Sequence, residues 1–250
     1  GVPKEIKPSE HRVGLVPSSV KELYSQGHDV FVEQNAGLAI NFTDQDYEEA
    51  GAQILPNAID VFDAAEMIVK VKEPQPEECA MLREGQILFT YLHLAADPEQ
   101  AQGLLDSGCI AIAYETVTGP EGLGLPLLEP MSEIAGRLSV QVGAFYLQKH
   151  MGGLGRLISG VPGVKPADVL ILGGGVAGFH AAQMATGLGA NVTILERSNR
   201  RMRFLDEYFH GRAKIIYSNL DIVERHIKNA DMVIGAVLIP GASAPKLVTH

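Results

Sequence analysis

Two lysines, Lys70 and Lys72, close a short apolar run, Met67-Ile68-Val69-Lys70-Val71-Lys72, that stops at Glu73-Pro74. Side chains alternate along a strand, so both lysines fall on one face while Val69 and Val71 share the other. The pattern admits two readings: a solvated strand end with snorkelling lysines, or a strand tip presenting an ammonium group to an anion. A second constellation is glycine-based. In Asp168 to Gly178, DVLILGGGVAG, the G-x-G-x-x-G spacing falls on Gly173, Gly175 and Gly178, after an apolar strand and at the start of a helix that opens with Val176. The first glycine permits a tight turn, the second admits a pyrophosphate to the backbone, and the third lets helix pack on strand. Unpaired N–H groups and the positive end of the helix dipole then face the phosphates. The next strand ends at Glu196, where a carboxylate accepts bonds from the adenine-ribose hydroxyls. It favours NAD over NADP, although Arg197, Arg201 and Arg203 stand close enough in sequence to pair with a 2′-phosphate.

These groups need strands to carry them. Asp29 to Glu33, Met67 to Val71, Gln86 to Thr90 and Cys109 to Ala113 read as strands, separated by helical stretches Pro17 to Gln26, Thr43 to Gly51, Pro76 to Arg83 and Pro98 to Ser107. Gly1-Val2-Pro3 reads as the tail of a further strand. A second series follows: Val169 to Leu172, Asn191 to Leu195, Lys214 to Tyr217 and Asp231 to Gly235. Between the two series lies the longest helical pattern, Met131 to Lys149, flanked by Pro- and Gly-rich segments. Short apolar strands alternating with helices predict an α/β fold with mostly parallel sheets covered by helices on both faces. The expectation is two Rossmann-like domains, residues 1–130 for substrate and 131–250 for the dinucleotide, with a cleft between them. Glycines near 152–163 are hinge candidates.

The 250 residues carry a net charge of −10 and a dispersed set of basic side chains, which argues against nucleic acid as a partner. Cys79 and Cys109 lack metal-type spacing and read as reduced thiols. The sequence contains no signal-like segment and no apolar stretch long enough to cross a bilayer, so the expected location is cytoplasmic, with no membrane partner.

The motifs GVPKEIKPSEHRVGLVP, VKVKEP, YLHLA, AIAYETV, LPLLEPMSEIAGRLSVQVGA, GGVAG and VIGAVLIPGASAPKLV together span nearly the whole chain. They resemble the alanine dehydrogenase family, which also holds the NAD-binding subunit of nicotinamide nucleotide transhydrogenase. The resemblance implies NAD-dependent oxidative deamination of L-alanine to pyruvate and ammonium, reversible with NADH. It implies Arg12 on the substrate carboxylate, Lys72 on the carboxylate and carbonyl side, His93 as catalytic histidine and Met131 lining the substrate pocket. It also implies nicotinamide-nucleotide contacts at Ser132, Glu196, Arg201, Ser218, Val237 and Leu238. Many relatives carry Asp where Glu196 stands, and both side chains accept ribose hydroxyl bonds. A homo-oligomer, often a hexamer, is implied as well, and no metal. On this reading Lys72 is the functional lysine and Lys70 shares its face. Glu115, at a strand end, reads as a further acid behind the site or an ion ligand.

Relatives continue past the position of His250 with a strand, a loop bearing a catalytic aspartate and a segment returning to the substrate domain. The expectation is therefore a fragment of a longer alanine dehydrogenase, or a shortened form without turnover, with exposed sheet edges that promote association. Two alternatives accompany it: a transhydrogenase-type NAD(H)-binding subunit, and an NADH-binding module without chemistry.

Overall fold

The computed structural model describes residues 1–238 and 246–248. The chain divides into two compact units, Gly1–Leu125 and Pro126–His250. The division falls ahead of the 130/131 point expected from sequence. A cut at that point would pass through the first turn of one continuous helix that starts at Glu129.

The first unit holds strands β1 (Phe31–Glu33), β2 (Gln53–Leu55), β3 (Met67–Val69), β4 (Ile87–Thr90) and β5 (Ile110–Ala113). They interleave with helices α1 (Pro17–Ser25), α2 (Asp44–Glu49), α3 (Ala58–Ala64), α4 (Pro76–Cys79) and α5 (Pro98–Ser107). The strands form parallel sets β1-β2 and β3-β4-β5. Gly1 and Val2 join the two sets. Val2 N–H donates to Phe31 O and Glu33 N–H to Val2 O, while Val69 N–H donates to Gly1 O and the Gly1 amine to Met67 O. Where the sequence predicts the tail of a further strand, the structure has an isolated parallel bridge, Val2 to Val32, with Gly1 bonded to β3 on the other side.

Two elements were not anticipated, β2 and α3. Gln53–Leu55 is too short to show alternation, and its partner β1 supplies the pairing. α3 starts at Asn57, whose side chain accepts from Asp60 N–H, and buries Val61 and Phe62. Several predicted spans are shorter in the structure, α2 (Asp44–Glu49) among them. β3 ends at Val69, α4 at Cys79, and β1 starts at Phe31. Phe62, Ile68, Leu88 and Leu92 form the core under β3 and β4, and Val2, Val20, Val32 and Tyr47 a second cluster beside it.

The second unit holds β6 (Asp168–Leu172), β7 (Asn191–Glu196), β8 (Ala213–Tyr217) and β9 (Met232–Gly235), all parallel in the order β8-β7-β6-β9. Helices α6 (Glu129–Tyr146), α7 (Val176–Gly187), α8 (Asn199–Phe209) and α9 (Leu220–Ile227) cover the sheet. β6 is buried along Val169–Leu172, the continuous apolar run expected of a central parallel strand. α6 packs on α7 because Gly136 lets the helices approach: a Cβ there would stand 2.1 Å from Ala177 O.

Candidate functional site

In the first unit the chemistry gathers beyond the carboxyl ends of the parallel strands, where open α/β sheets bind ligands. Lys72 follows β3, His93 follows β4, and Glu115 follows β5. The HRVG loop reaches the same end. Val13 is buried, and Gly14 lies so close to β3 that a Cβ would meet Val69 O at 2.4 Å. That approach seats Arg12 above the strand. Its guanidinium is gripped by Glu10, with Nε 2.8 Å from Oε1 and the Nη2 nitrogen 2.6 Å from Oε2. This fork holds the Glu10 carboxyl down at about 2, by the Arg12 hydrogen bond first and with a contribution from Lys72, and raises Arg12 in return. Arg12 is therefore pre-oriented by a carboxylate, a partner the sequence reading did not assign. Glu10 lies two residues away, and its acceptor role depends on the loop turning back.

The structure gives the two lysines different surroundings. Both lie past the end of β3, where strand alternation no longer sets direction, so they do not share a solvated face. Lys70 is fully buried between two carboxylates, 3.1 Å from Glu5 Oε2 and 2.6 Å from Glu78 Oε1, each with about 2 % side-chain exposure. Burial raises Glu78, and the attraction of Lys70 opposes it. Glu5 Oε1 also accepts from the Val71 and Lys72 backbone N–H groups at 2.6 and 3.4 Å. Thr90 Oγ1 donates to Lys72 O at 2.9 Å. Lys70 is an internal tie, and Lys72, only partly buried, is the residue whose backbone Glu5 and Thr90 hold.

His93 sits in the left-handed region, φ 51° and ψ 36°, a conformation costly for a residue with a Cβ. Glu115 holds it there: its carboxylate accepts from His93 N–H at 2.6 Å and Leu92 N–H at 3.2 Å. Tyr91 stacks on the imidazole at 5.9 Å and 20°, and Glu73 Oε2 lies 3.7 Å from Nδ1. Burial lowers the imidazole pKa, opposed by Glu115 and assisted by Lys72 and Lys7.

The second unit brings its sequence-predicted residues to one sheet end too. Gly173 follows β6, Glu196 closes β7, Ser218 follows β8, and Val237 and Leu238 follow β9. Ser218 N–H donates to Glu196 O, and Gly173 lies against Ala236 and Val237. The three glycines have three different reasons. Gly173 has φ +96°, and a Cβ on Gly178 would stand 1.8 Å from Gly173 O. At Gly175 a Cβ would meet nothing within 4 Å, and no side chain caps the N-terminus of α7. The space and the N–H donors a pyrophosphate requires are both present. Glu196 Oε2 accepts from Gly174 N–H at 2.8 Å, and Oε1 from Arg197 and Ser198 N–H at 2.6 and 2.8 Å. Arg201 donates to Gly174 O at 2.5 Å and Gly175 O at 3.3 Å, with its guanidinium 4.5 Å from the Phe204 ring centroid. It braces the glycine loop. Arg197 and Arg203 are exposed.

Met131 and Ser132 lie in the first turns of α6, in the second unit. Of the VIGAVLIPGASAPKLV motif, residues 239–245 lie outside the described residues. Asp231 accepts from Asp168 N–H at 2.9 Å and pairs with Arg156 at the amino end of the sheet, away from the glycine loop. Among the described residues no His/Cys/Asp/Glu group could hold a metal, and no helix is long and apolar enough to cross a membrane.

A parallel sheet in the order β8-β7-β6-β9, with a glycine loop and an acid at its carboxyl end, makes the second unit a Rossmann-like α/β domain. Comparison with known proteins gives the particular kind. Residues 1–135 match the alanine dehydrogenase/PNT N-terminal domain, residues 139–250 match the alanine dehydrogenase/PNT C-terminal domain, and the chain belongs to that family. It is 55% identical over 249 residues to a protein of Halomonas elongata named alanine dehydrogenase, covering 100% of this chain and 67% of the relative. A protein of the same name from Methanococcus maripaludis is 53% identical, with the same 100% and 67% coverage. A solved L-alanine dehydrogenase superposes with TM-score 0.89 at 54% identity, covering 100% of this chain and 68% of the other. A transhydrogenase from Sinorhizobium meliloti matches with TM-score 0.79 at 29% identity, over 99% of this chain and 72% of the other. The chain thus spans about two thirds of the length of the relatives named here.

Proposed function

We propose that the chain carries the substrate and cofactor residues of an NAD-dependent alanine dehydrogenase, which deaminates L-alanine oxidatively to pyruvate and ammonium and runs in reverse with NADH. The observation that carries this reading is the placement of Arg12, Lys72 and His93 beyond the carboxyl ends of one parallel sheet, in a chain 55% identical to a relative named alanine dehydrogenase. Pyruvate brings a carboxylate, and the Arg12 guanidinium, oriented by Glu10, meets it with a planar donor geometry that a point charge lacks. Lys72 places an ammonium at the carbonyl side, where negative charge develops as ammonia or hydride attacks. His93, below its ordinary pKa, is largely neutral at neutral pH and exchanges protons as carbinolamine forms and loses water. Met131 lines the substrate pocket in this reading.

The nicotinamide nucleotide, when bound, supplies or accepts the hydride. Gly173, Gly175, Val176 and Gly178 form its pyrophosphate cradle, and Glu196 receives the adenine ribose. Ser132, Ser218, Val237 and Leu238 complete the contacts. Glu196 favours NAD, since its carboxylate repels a 2′-phosphate, and Arg201 is already committed to the loop carbonyls. The exposed α6 stripe of Ile134, Leu138, Val142 and Phe145 supports assembly into the homo-oligomer, a hexamer, that the family resemblance implies.

The test follows NADH absorbance with pyruvate, with and without ammonium. Ammonium-dependent oxidation supports the reading. NADH binding without turnover under both conditions would favour a cofactor-binding module, and hydride exchange with a second nicotinamide nucleotide would favour the transhydrogenase reading.

A further inference from the structure

We propose that Glu73 is a positioning residue for His93, its carboxylate holding the ring Nδ1–H so that Nε2 is the nitrogen exchanging protons with substrate. The inference rests on the dehydrogenase reading for its catalytic consequence. The structural observation is an acceptor without a donor. Glu73 Oε2 is buried and makes no hydrogen bond, yet it points at His93 Nδ1 from 3.7 Å. A buried carboxylate oxygen in that state is costly unless a donor reaches it. An Nδ1–H is the donor nearest at hand. The gap is a few tenths of an ångström beyond a hydrogen bond, the kind of looseness sites show before substrate closes them.

The rest of the neighbourhood leaves that role to Glu73. Its other oxygen pairs with Lys7, which anchors the carboxylate from the N-terminal loop. Glu115 is committed to the backbone N–H groups of Leu92 and His93. Tyr91 fixes the plane of the ring by stacking. Lys72 and Lys7 are the cations that act on the imidazole, and Glu115 and Glu73 the anions beside it. None of the bonds that His93 makes among the described residues uses Nε2. Glu115 thus holds the backbone while Glu73 faces the ring at Nδ1, which leaves the other nitrogen for the substrate. A neutral imidazole with one nitrogen held as a donor presents the other as an acceptor. The free side chain in water prefers the opposite tautomer, with the proton on Nε2, so the protein must impose the useful one. Among the described residues no other side-chain acceptor is recorded at His93 Nδ1.

The experiment is a long-range ¹H–¹⁵N NMR titration of the imidazoles in the chain, with Glu73→Gln and Glu73→Met beside the parent. The parent should show His93 with its proton on Nδ1. Glu73→Gln, which keeps an acceptor without the charge, should keep the tautomer while the imidazole pKa falls by about one unit. Glu73→Met should lose both and revert to the Nε2–H form. An unchanged tautomer and titration midpoint in Glu73→Met overturns the proposal, whatever the activity does. Should Glu73→Met not fold, Glu73→Gln decides alone: a His93 midpoint equal to the parent's overturns it. In the ammonium-dependent assay, kcat of Glu73→Met should fall about a hundredfold with KM for pyruvate changed less than about threefold. If the NMR changes appear and kcat does not move, Glu73 still positions the ring and it is the catalytic reading of His93 that fails.

Discussion

Replacing Lys70 by methionine tests the buried ion cluster beneath the site. Methionine fills much of the lysine volume, so the change removes charge with little loss of packing. Lys70 is fully buried, and the Glu5 and Glu78 side chains it joins are each about 2 % exposed. Removal leaves two carboxylates without their cation in a place water does not reach. Breaking a buried pair costs about 3–5 kcal/mol. Here the Val71 and Lys72 N–H groups still solvate Glu5, and Gln75 N–H still reaches Glu78, so the lower part of that range is expected. The deficit depends on pH in a definite direction. Burial already raises Glu78, and losing Lys70 removes the attraction that opposes it. A carboxyl with a raised folded-state pKa gives full stability below its ordinary value of 4.5 and loses it as pH rises toward the folded one. The Lys70→Met deficit is therefore largest at neutral pH and shrinks toward pH 5. Urea unfolding followed through the methyl signals of Ile68 and Leu88 reports the first unit alone. With an m value of about 1.5 kcal/mol/M, the midpoint should fall by about 2 M at pH 7. Glu78→Gln added to Lys70→Met should recover part of the loss. A midpoint within about 0.5 M of the parent at pH 7 would refute the argument, since it would mean that the carboxylates find water.

Three further perturbations follow from the same physical reasoning. Gly178→Ala places a methyl 1.8 Å from Gly173 O and should destabilise the second unit by about 3 kcal/mol or more, read as a lower melting temperature. Gly175→Ala meets nothing within 4 Å, so melting should be unchanged while NADH affinity, measured by fluorescence titration, falls at least tenfold. The Glu10 carboxyl, held near 2 by Arg12, contributes stability above its ordinary value of 4.5 that is lost as pH falls from there through about 2. A carbon-13 titration should place its midpoint near 2 in the parent and return it toward 4.5 in Arg12→Gln.

The sequence by itself determined what is local in cause. The glycine cradle was legible because turn, close approach and helix start all lie within DVLILGGGVAG, and the strand before it is apolar throughout. The alternation of strands and helices was legible for the longer elements, and lost at Gln53–Leu55, which is too short to carry a period. Tertiary structure decided the rest. Lys70 and Lys72 are equivalent in pattern, yet one is interior and the other marks the candidate site. That difference comes from Glu5, which is 65 positions away in the chain and is brought to Lys70 by the sheet. The same holds for His93. Its type and motif come from the chain, but its left-handed backbone is held by Glu115 from the next strand and its ring faces Glu73 from the previous one. Electrostatic role depends on distance and burial, and neither is a property of a residue's position in sequence.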